Sequence, residues 1–383
     1  MKLNKYVGGS IAALATAAVV VSSALPAHAE PVRPYAAAGS DTTQDVWNGL
    51  TNDGGPLSSI ASYDAFDGTG VANDNQLIKS KSTGTWFVRP SGSGNGVKAL
   101  SGTWDSANHI WKGKSLVNEE IDMARSSSGP SGANDDLTYV PMGRDAVSIA
   151  FNTSSGLPSS LNLSTSQIQE LYRGVDDNTN DGAVVVAITG GVPTINGITV
   201  DPKIPQSGSG TRSFFLSAIG GQPASWPSYI TEDNLPENNG SAIPNGGDLI
   251  PFSVAQWIAQ HNVIPGIANS TTASMSISSI NAQAPTTGTS PNLAPGALYG
   301  SNTLGTYGTP PVPGTGTFNR DVYDVIPTLF TQGSATPKQG VLVTSITATL
   351  SGAAGTTIVK RYGFGKLGYL TNASNYKHGS YQH

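Results

Sequence analysis

The chain of 383 residues has no cysteine, and only 12% of its residues are charged. Without cysteine it can form no disulfide, thiol nucleophile or Cys-ligated zinc site, so packing alone must hold it together. The same absence removes a lipid anchor at the N-terminus. The formal net charge of -5 also lacks the basic excess that nucleic acids and anionic membranes attract, so we expect neither as a partner.

Residues that carry catalysis or bind metals are scarce as well. The five histidines show no metal-binding spacing, which predicts no metal site. No Gly-x-Ser-x-Gly elbow occurs, and Gly113-Lys114-Ser115 departs from a phosphate loop because Asn108 stands where the first glycine belongs. The sequence therefore predicts no catalytic residue and no cofactor.

No apolar run is long enough to cross a bilayer, which takes roughly 20 residues. The run Ile11–Val21 follows Lys2 and Lys5 and precedes the small-residue triplet Ala27-His28-Ala29. This order of basic start, apolar middle and small residues is typical of a secretory signal peptide. We expect cleavage after Ala29 and a secreted or periplasmic protein without a lipid anchor.

Glycine (46) and proline (25) are abundant, and six Trp and 13 Tyr occur among many aliphatic runs. This composition favours a folded α/β protein with short elements and many turns. Extended runs at Trp86–Val88, Ala146–Asn152 and Val184–Ile188 alternate with helical patterns, which predicts a parallel sheet. Ser164–Gly174 (STSQIQELYRG) reads as a helix with a serine N-cap and a glycine C-cap.

Residues Asn269–Thr317 differ from the rest, because Ser, Thr, Gly, Pro, Ala and Asn dominate and charge is almost absent. We interpret them as a long surface excursion with one strand at Ser274–Ile280. The chain returns to strand character at Asp321–Leu329.

Four segments share small hydroxyl or glycine residues in a turn, in most cases followed by an apolar helical pattern. Helix starts expose unpaired N–H groups, glycine permits close approach, and hydroxyls add donors without net charge, so converging turns of this kind can enclose an oxyanion. Taken alone, each turn is more typical of a plain loop or helix cap than of a ligand site. The segments are Gly39–Thr43, Ser91–Gly96, Arg125–Gly129 and Ser207–Thr211.

The sequences around these turns resemble the phosphate-binding protein of the bacterial ABC phosphate importer. The resemblance runs from about Gly39 to Ala259, thins through the Ser/Thr/Pro-rich stretch and returns faintly at Arg320–Tyr323. The segments that carry it are Ser93–Lys98, Ile121–Ser126, Gly143–Asn152, Leu163–Ile168, Tyr172–Gly174 and Ser209–Thr211 with Phe214.

The resemblance implies the two-lobed α/β fold of type 2 periplasmic binding proteins, with a ligand cleft between the lobes. Residues 30–147 would form the first part of lobe I and 148–250 lobe II. Residues 251–383, including the excursion 269–317, would complete lobe I. The implied partners are inorganic phosphate or a related oxyanion and the membrane subunits of an ABC transporter, and the expected state is a monomer.

Carried over by position, the ligand donors would be Ser93 from one lobe and Ser209, Gly210 and Thr211 from the other. The turn that contains Asp41 and Thr42 would add a further donor, and Ser126 and Ser127 belong to the second-segment turn.

The charged part of the family pattern is missing. Ser127 replaces an aspartate, while Pro205 and Ser207 stand where the family has Arg and Asp. Arg125 and Arg212 could restore a bidentate contact, or else be solvated or paired with surface carboxylates. Asp41 could restore an acceptor that prefers phosphate to sulfate.

Two other functions remain open on sequence alone. A secreted phosphatase-like hydrolase on the same cleft would need a nucleophile or metal set that the sequence does not reveal. A surface or matrix protein with a degenerate cleft would use the Ser/Thr/Pro-rich stretch for adhesion.

Overall fold

The computed structural model describes residues 32–51, 54–66, 75–117, 119–174, 183–230, 232, 235–267 and 270–383. The predicted signal peptide and its cleavage site lie outside these residues. Among the described residues, no single helix has the length and apolar character of a membrane span. One pair, Pro337–Ser351 and Ala353–Arg361, meets that test only when joined across a 70° bend.

Helix boundaries follow local capping signals. The predicted helix Ser164–Gly174 is confirmed, because Ser164 accepts from the Gln167 N–H in a capping box and Gly174 closes the helix in the left-handed conformation. Thr336 and Gln339 make the same capping box at the start of the helix Pro337–Ser351. The α-helices are α1 (Gln44–Thr51), α2 (Ser93–Trp104), α3 (Thr165–Arg173), α4 (Gly210–Ala218), α5 (Val254–His261), α6 (Pro337–Ser351) and α7 (Ala353–Arg361).

A nine-stranded mixed sheet organises the described residues. Its path is β5-β6-β4-β8-β3-β1-β2, and β7 and β9 also pair with β4. The strands are β1 (Tyr35–Gly39), β2 (Ile60–Ser62), β3 (Met123–Ser126), β4 (Leu137–Asn152), β5 (Asp201–Pro202), β6 (Asp248–Ser253), β7 (Met275–Ile277), β8 (Asn319–Pro327) and β9 (Lys377–Gly379).

Smaller sheets of two or three strands decorate this sheet. They consist of Leu77–Ile78 with Phe87–Val88, Ile110–Trp111 with Lys114–Ser115, Asn162–Leu163 with Ser279–Ile280, Val186–Thr189 with Val192–Ile195 and Ile198–Thr199, Thr286–Thr287 with Ala294–Pro295, and Thr306–Tyr307 with Lys366–Leu367.

Strand β4 joins two lobes. Its residues 137–146 pair with β8, whereas residues 147–151 pair with β6. We call the strands β1, β2, β3, β8 and β9 with the first part of β4 the first lobe, and β5, β6 and β7 with its last part the second lobe. All 16 residues of β4 are buried. The α/β class with two lobes is confirmed.

The expectation of a parallel sheet is correct only in part. Strand β1 pairs in parallel with β2 and β3, and helices connect these strands. Strands β8, β4 and β6 pair antiparallel. The antiparallel strands return from distant parts of the chain, so alternation of local patterns could not reveal their direction.

The low-charge stretch is not simply a surface excursion, because parts of it belong to the sheet and to the core. The predicted strand at Ser274–Ile280 is confirmed as β7 and the short strand Ser279–Ile280. Further along, Leu298, Tyr299 and Tyr307 are buried. Strand β7 pairs with residues 150–152 of β4 in the second lobe, although the sequence-based domain bounds place it in lobe I. Those bounds as a whole remain a prediction.

Candidate functional site

The glycine-rich turns meet where the two lobes face each other. Helix α2 packs on β1 and β3 of the first lobe, and α4 packs on β6 of the second. Their first turns touch, because the N–H of Gly94 donates to the carbonyl of Gly208 at 3.1 Å. A Cβ on Gly210 would lie 2.4 Å from Ser93 Oγ and 2.5 Å from Ser127 Oγ, so only glycine fits here.

Four buried hydroxyls from both lobes lie in this contact region. Ser93 Oγ is 3.0 Å from Ser127 Oγ and accepts the Ser127 N–H at 2.9 Å. Thr42 Oγ1, at the entrance to α1, lies 3.2 Å from Thr211 Oγ1 on α4. All four residues are fully buried. The structure thus brings together Thr42, Ser93, Ser127, Gly210 and Thr211 from four separate parts of the sequence.

A cation at this cluster is Arg320, which was not among the site residues predicted from the sequence. Arg320 Nη2 donates to Thr211 Oγ1 at 2.8 Å, and Nη1 donates to the Ser127 carbonyl at 2.9 Å. The same guanidinium pairs with Asp145, with Nη2 at 2.8 Å and Nε at 3.2 Å from Oδ2. Its plane lies over Phe214, 5.4 Å from the ring centre. Arg320 therefore joins both lobes.

Asp145 is held rigidly for this role. Its carboxylate accepts the Ser253 hydroxyl at 3.1 and 3.2 Å and the Ala255 N–H in the first turn of α5 at 3.0 Å. Arg320 and Asp145 are cross-strand neighbours of β8 and β4, at the point where β4 passes between lobes. A buried carboxylate with these partners fixes the position of the guanidinium. Other N–H groups of Arg320 remain available to donate to Ser127 and Thr211.

The two arginines suggested by the sequence lie elsewhere. Arg125 is buried in the first lobe and donates to the Ser40 carbonyl at 3.3 Å, Ser62 Oγ at 2.7 Å and the Tyr63 carbonyl at 2.7 Å. Burial raises the pKa values of half-buried Asp45 and buried Asp324, and the charge of Arg125 is one of the factors that oppose this rise.

Arg212 faces away from the cluster. Its guanidinium donates to the Pro205 carbonyl at 3.1 Å and pairs with Glu232, and it lies over the Trp226 ring at 5.4 Å. Only its backbone N–H is used at the helix start, where it donates to Ser209 Oγ at 3.0 Å. Of the two alternatives left open for this arginine, the structure shows the pair with a carboxylate.

The remaining predicted serines have local partners. Ser209 Oγ is the N-cap of α4, and Ser126 Oγ donates to the Ser128 carbonyl at 2.8 Å. Both residues border the cluster in sequence. Their role as ligand donors stays a prediction.

Asp41 lies in a buried acidic pair. Burial raises the pKa of its carboxyl well above the usual range, and the charge of Glu237 and a hydrogen bond to that residue raise it further. Glu237 Oε1 accepts the Thr42 hydroxyl at 3.2 Å, so the pair touches the hydroxyl cluster through Thr42. Both acidic residues are fully buried.

Arg320, Asp145 and Glu237 were missed although two of them lie in segments that resemble the phosphate-binding family. Arg320 opens the Arg320–Tyr323 segment, and Asp145 belongs to Gly143–Asn152. Both segments were visible in the sequence, but the predicted charged ligands were residues next to the serine turns. Within the described residues, no group of three or more His, Cys, Asp or Glu could hold a metal ion.

No protein-family model matches the chain, and no curated protein matches it. Solved structures similar to it include an ABC-type phosphate transport receptor from Vibrio cholerae, at 12% identity and TM-score 0.45, with 86% of this chain and 98% of that chain covered. A phosphate-binding protein from Stenotrophomonas maltophilia matches at 13% identity and TM-score 0.44, covering 87% of this chain and 90% of that one.

Proposed function

We propose that this protein is a solute-binding protein that holds one small oxyanion between its two lobes, with phosphate as the favoured ligand. The observation that carries the proposal is the convergence of four buried hydroxyls, two helix starts and the Arg320 guanidinium at one point of the lobe contact. Hydroxyls, helix N-termini and guanidinium groups are the donors that anion sites use.

An anion would take the place of contacts that these donors now make with one another. Ser93 and Thr211 would turn their hydroxyls from Ser127 and Thr42 to the ligand, and Arg320 would add an N–H while Asp145 continues to hold it. The first turns of α2 and α4 touch, so the positive ends of their two helix dipoles lie close together. The protein's net negative charge is therefore no obstacle, because local geometry supplies the attraction.

The same residues favour binding without catalysis. The two carboxylates that are hydrogen-bonded to the cluster already have partners: Arg320, Ser253 and Ala255 bind Asp145, and Thr42 binds Glu237 Oε1. A hydrolase would need a base free to activate a hydroxyl or water. We accordingly include no chemical step in the proposal.

We further propose that the chain is exported, cleaved after Ala29 and released without a lipid anchor, and that it acts as a monomer. It would pass its ligand to the membrane subunits of an ABC importer or serve as an extracellular scavenger. Intact-mass measurement of secreted material should give a chain that begins at Glu30. Retention of Met1 would contradict this part.

Calorimetric titration of the purified protein with phosphate and with sulfate, alongside a phosphatase assay, tests the proposal. We expect one phosphate per chain and no hydrolysis of phosphate esters. Turnover of an ester would favour the hydrolase alternative.

One observation favours a degenerate cleft in a surface or matrix protein. The four hydroxyls satisfy one another at 3.0 and 3.2 Å, and the contact between Thr42 and Thr211 joins the lobes through groups that would bind an anion. If this is the function, neither phosphate nor sulfate will bind in the titration.

A further inference from the structure

Two hydrogen bonds at the ends of the Thr42–Thr211 pair have a fixed direction. A guanidinium can only donate, so Arg320 Nη2 donates a hydrogen bond to Thr211 Oγ1 at 2.8 Å. At the other end, Thr42 Oγ1 donates to Glu237 Oε1 at 3.2 Å, because a carboxylate oxygen can only accept.

These two ends determine the hydroxyl pair between them. A threonine hydroxyl has one proton, and Thr42 uses its proton for Glu237. The 3.2 Å contact between Thr42 Oγ1 and Thr211 Oγ1 must then be donated by Thr211. The hydrogen bonds therefore run in one direction, from Arg320 through Thr211 and Thr42 to Glu237. On the side that faces Thr211, Thr42 presents only lone pairs.

Asp41 lies beside Glu237. Burial raises the pKa of the Asp41 carboxyl well above the usual range, and the charge of Glu237 and a hydrogen bond to that residue raise it further. Glu237 is itself held in place, since the N–H of Ser253 at the end of β6 donates to its carbonyl at 3.2 Å. The Glu237 carboxylate thus lies beside Asp41 and accepts from Thr42.

We propose that Glu237 orients the Thr42 hydroxyl so that this side of the oxyanion site can only accept a hydrogen bond, and that the site thereby selects oxyanions that carry a proton. The inference rests on the proposed oxyanion-binding function. Thr42 would be the residue in contact with the ligand, and Glu237 a positioning residue that acts through it.

The ligand class follows from acid chemistry. Near neutral pH, phosphate and arsenate keep at least one O–H group that can donate to Thr42, whereas sulfate and selenate have none. A fully deprotonated anion would place an oxygen lone pair against the Thr42 lone pairs, and such a mismatch is an effective means of rejection. Thr211, Ser93 and Arg320 would donate to either class without distinguishing them.

The experiment compares affinities for phosphate, arsenate, sulfate and selenate by calorimetry, in the wild type and four variants. Glu237→Gln has nearly the same shape, but its amide can donate to Thr42 and free the Thr42 proton for the ligand. Thr42→Val removes the hydroxyl, and Thr42→Ser keeps it. Thr43→Val is the matched control, since Thr43 is equally buried and its hydroxyl has no hydrogen-bond partner among the described residues.

We expect the wild type to prefer phosphate and arsenate over sulfate and selenate by roughly ten- to a hundredfold, the value of one charge-assisted hydrogen bond. Glu237→Gln and Thr42→Val should reduce this ratio toward one. Thr42→Ser and Thr43→Val should leave it unchanged.

The outcomes separate the two proposals. If the wild type binds phosphate and sulfate equally, or if Glu237→Gln and Thr42→Val keep the wild-type ratio, the inference is wrong while oxyanion binding stands. If the wild type binds none of the four anions, the proposed function is wrong and this inference with it. The wild-type affinities alone can contradict the inference, so the test remains decisive even if a variant fails to fold.

Discussion

Asp324 makes the stability of this protein sensitive to pH in a direction that can be measured. It lies on β8 with 1% of its surface exposed, and its Oδ1 accepts the Trp47 indole N–H at 2.9 Å. Burial raises the pKa of this carboxyl to about 8, while the Trp47 hydrogen bond and the charge of Arg125 oppose that rise. The native state therefore holds a proton that the unfolded chain releases near its ordinary value of about 3.9.

The sign follows from linkage. A carboxyl with a raised native pKa contributes stability that is complete below the unfolded value and is lost as the pH rises through the native one. One pKa unit corresponds to about 1.4 kcal/mol, so the Asp324 contribution should fall by about 2 to 3 kcal/mol between pH 6 and pH 9. Asp324→Asn removes the titration and keeps an oxygen that can accept from Trp47.

Urea unfolding of the wild type and of Asp324→Asn at pH 6, 7, 8 and 9 measures this difference directly. Subtracting the two series cancels other groups, including Asp45, whose pKa burial raises to about 7. The wild type should lose about 2 to 3 kcal/mol relative to the variant across this range. A constant difference, or a wild type that gains stability with pH, would show that the charge of Arg125 keeps Asp324 ionised and that the reasoning is wrong.

Three further changes test local features of the fold and site. Gly210→Ala places a Cβ 2.4 Å from Ser93 Oγ and should weaken anion binding at least tenfold, because the lobe contact must open; unchanged binding in calorimetry would argue against this contact in solution. Thr211→Val removes a ligand donor and should cost about 1.5 to 3 kcal/mol of binding free energy, and equal affinity would exclude Thr211 from the site. Ser164→Ala removes the N-cap of α3 and should lower the free energy of unfolding by about 1 kcal/mol, with no effect on anion affinity.

Local signals predicted the elements whose ends are set by their own residues. Helix α3 is the best case, because its cap, apolar face and terminal glycine all lie within eleven consecutive positions. Strand β4 is a case in which local signals were not sufficient. Only Ala146–Asn152 was predicted, because Arg144 and Asp145 look incompatible with a buried strand until Asp321 and Arg320 pair with them from the neighbouring strand.

The turns of the site were predicted from the sequence, but its charged residues were not. Glycine and hydroxyl residues before helices can be read from short segments, and Thr42, Ser93, Ser127, Gly210 and Thr211 do converge. Which arginine faces them depends on the direction of a side chain on a strand, which proximity in sequence does not determine.

Arg125 adjoins the cluster in sequence yet points into the first lobe, whereas Arg320 comes from a strand nearly 200 residues beyond Ser127 and reaches it. The number of residues between two groups carries little information once strands pair across a whole domain.

The buried acidic pair of Asp41 and Glu237 was not predicted from the sequence either. Asp41 was predicted as a direct acceptor for the ligand, and that role stays a prediction. The structure places its carboxyl against Glu237, and Glu237 touches the cluster through Thr42. Glu237 lies in a polar segment with no motif of its own, so only the contact between lobes identifies it.

The most direct test of the central claim compares two arginines that a sequence-based view ranks in the opposite order. Phosphate affinity should be measured by calorimetry for the wild type, Arg320→Gln and Arg212→Gln, with circular dichroism to confirm folding, since Asp145 loses its buried partner in the first variant. Arg320→Lys is included because it keeps the charge and loses the bidentate geometry.

The account predicts that Arg320→Gln lowers phosphate affinity by roughly ten- to a hundredfold or more, that Arg320→Lys falls between it and the wild type, and that Arg212→Gln binds as the wild type does. Loss of binding in the Arg212 variant with full binding in a folded Arg320 variant would contradict it.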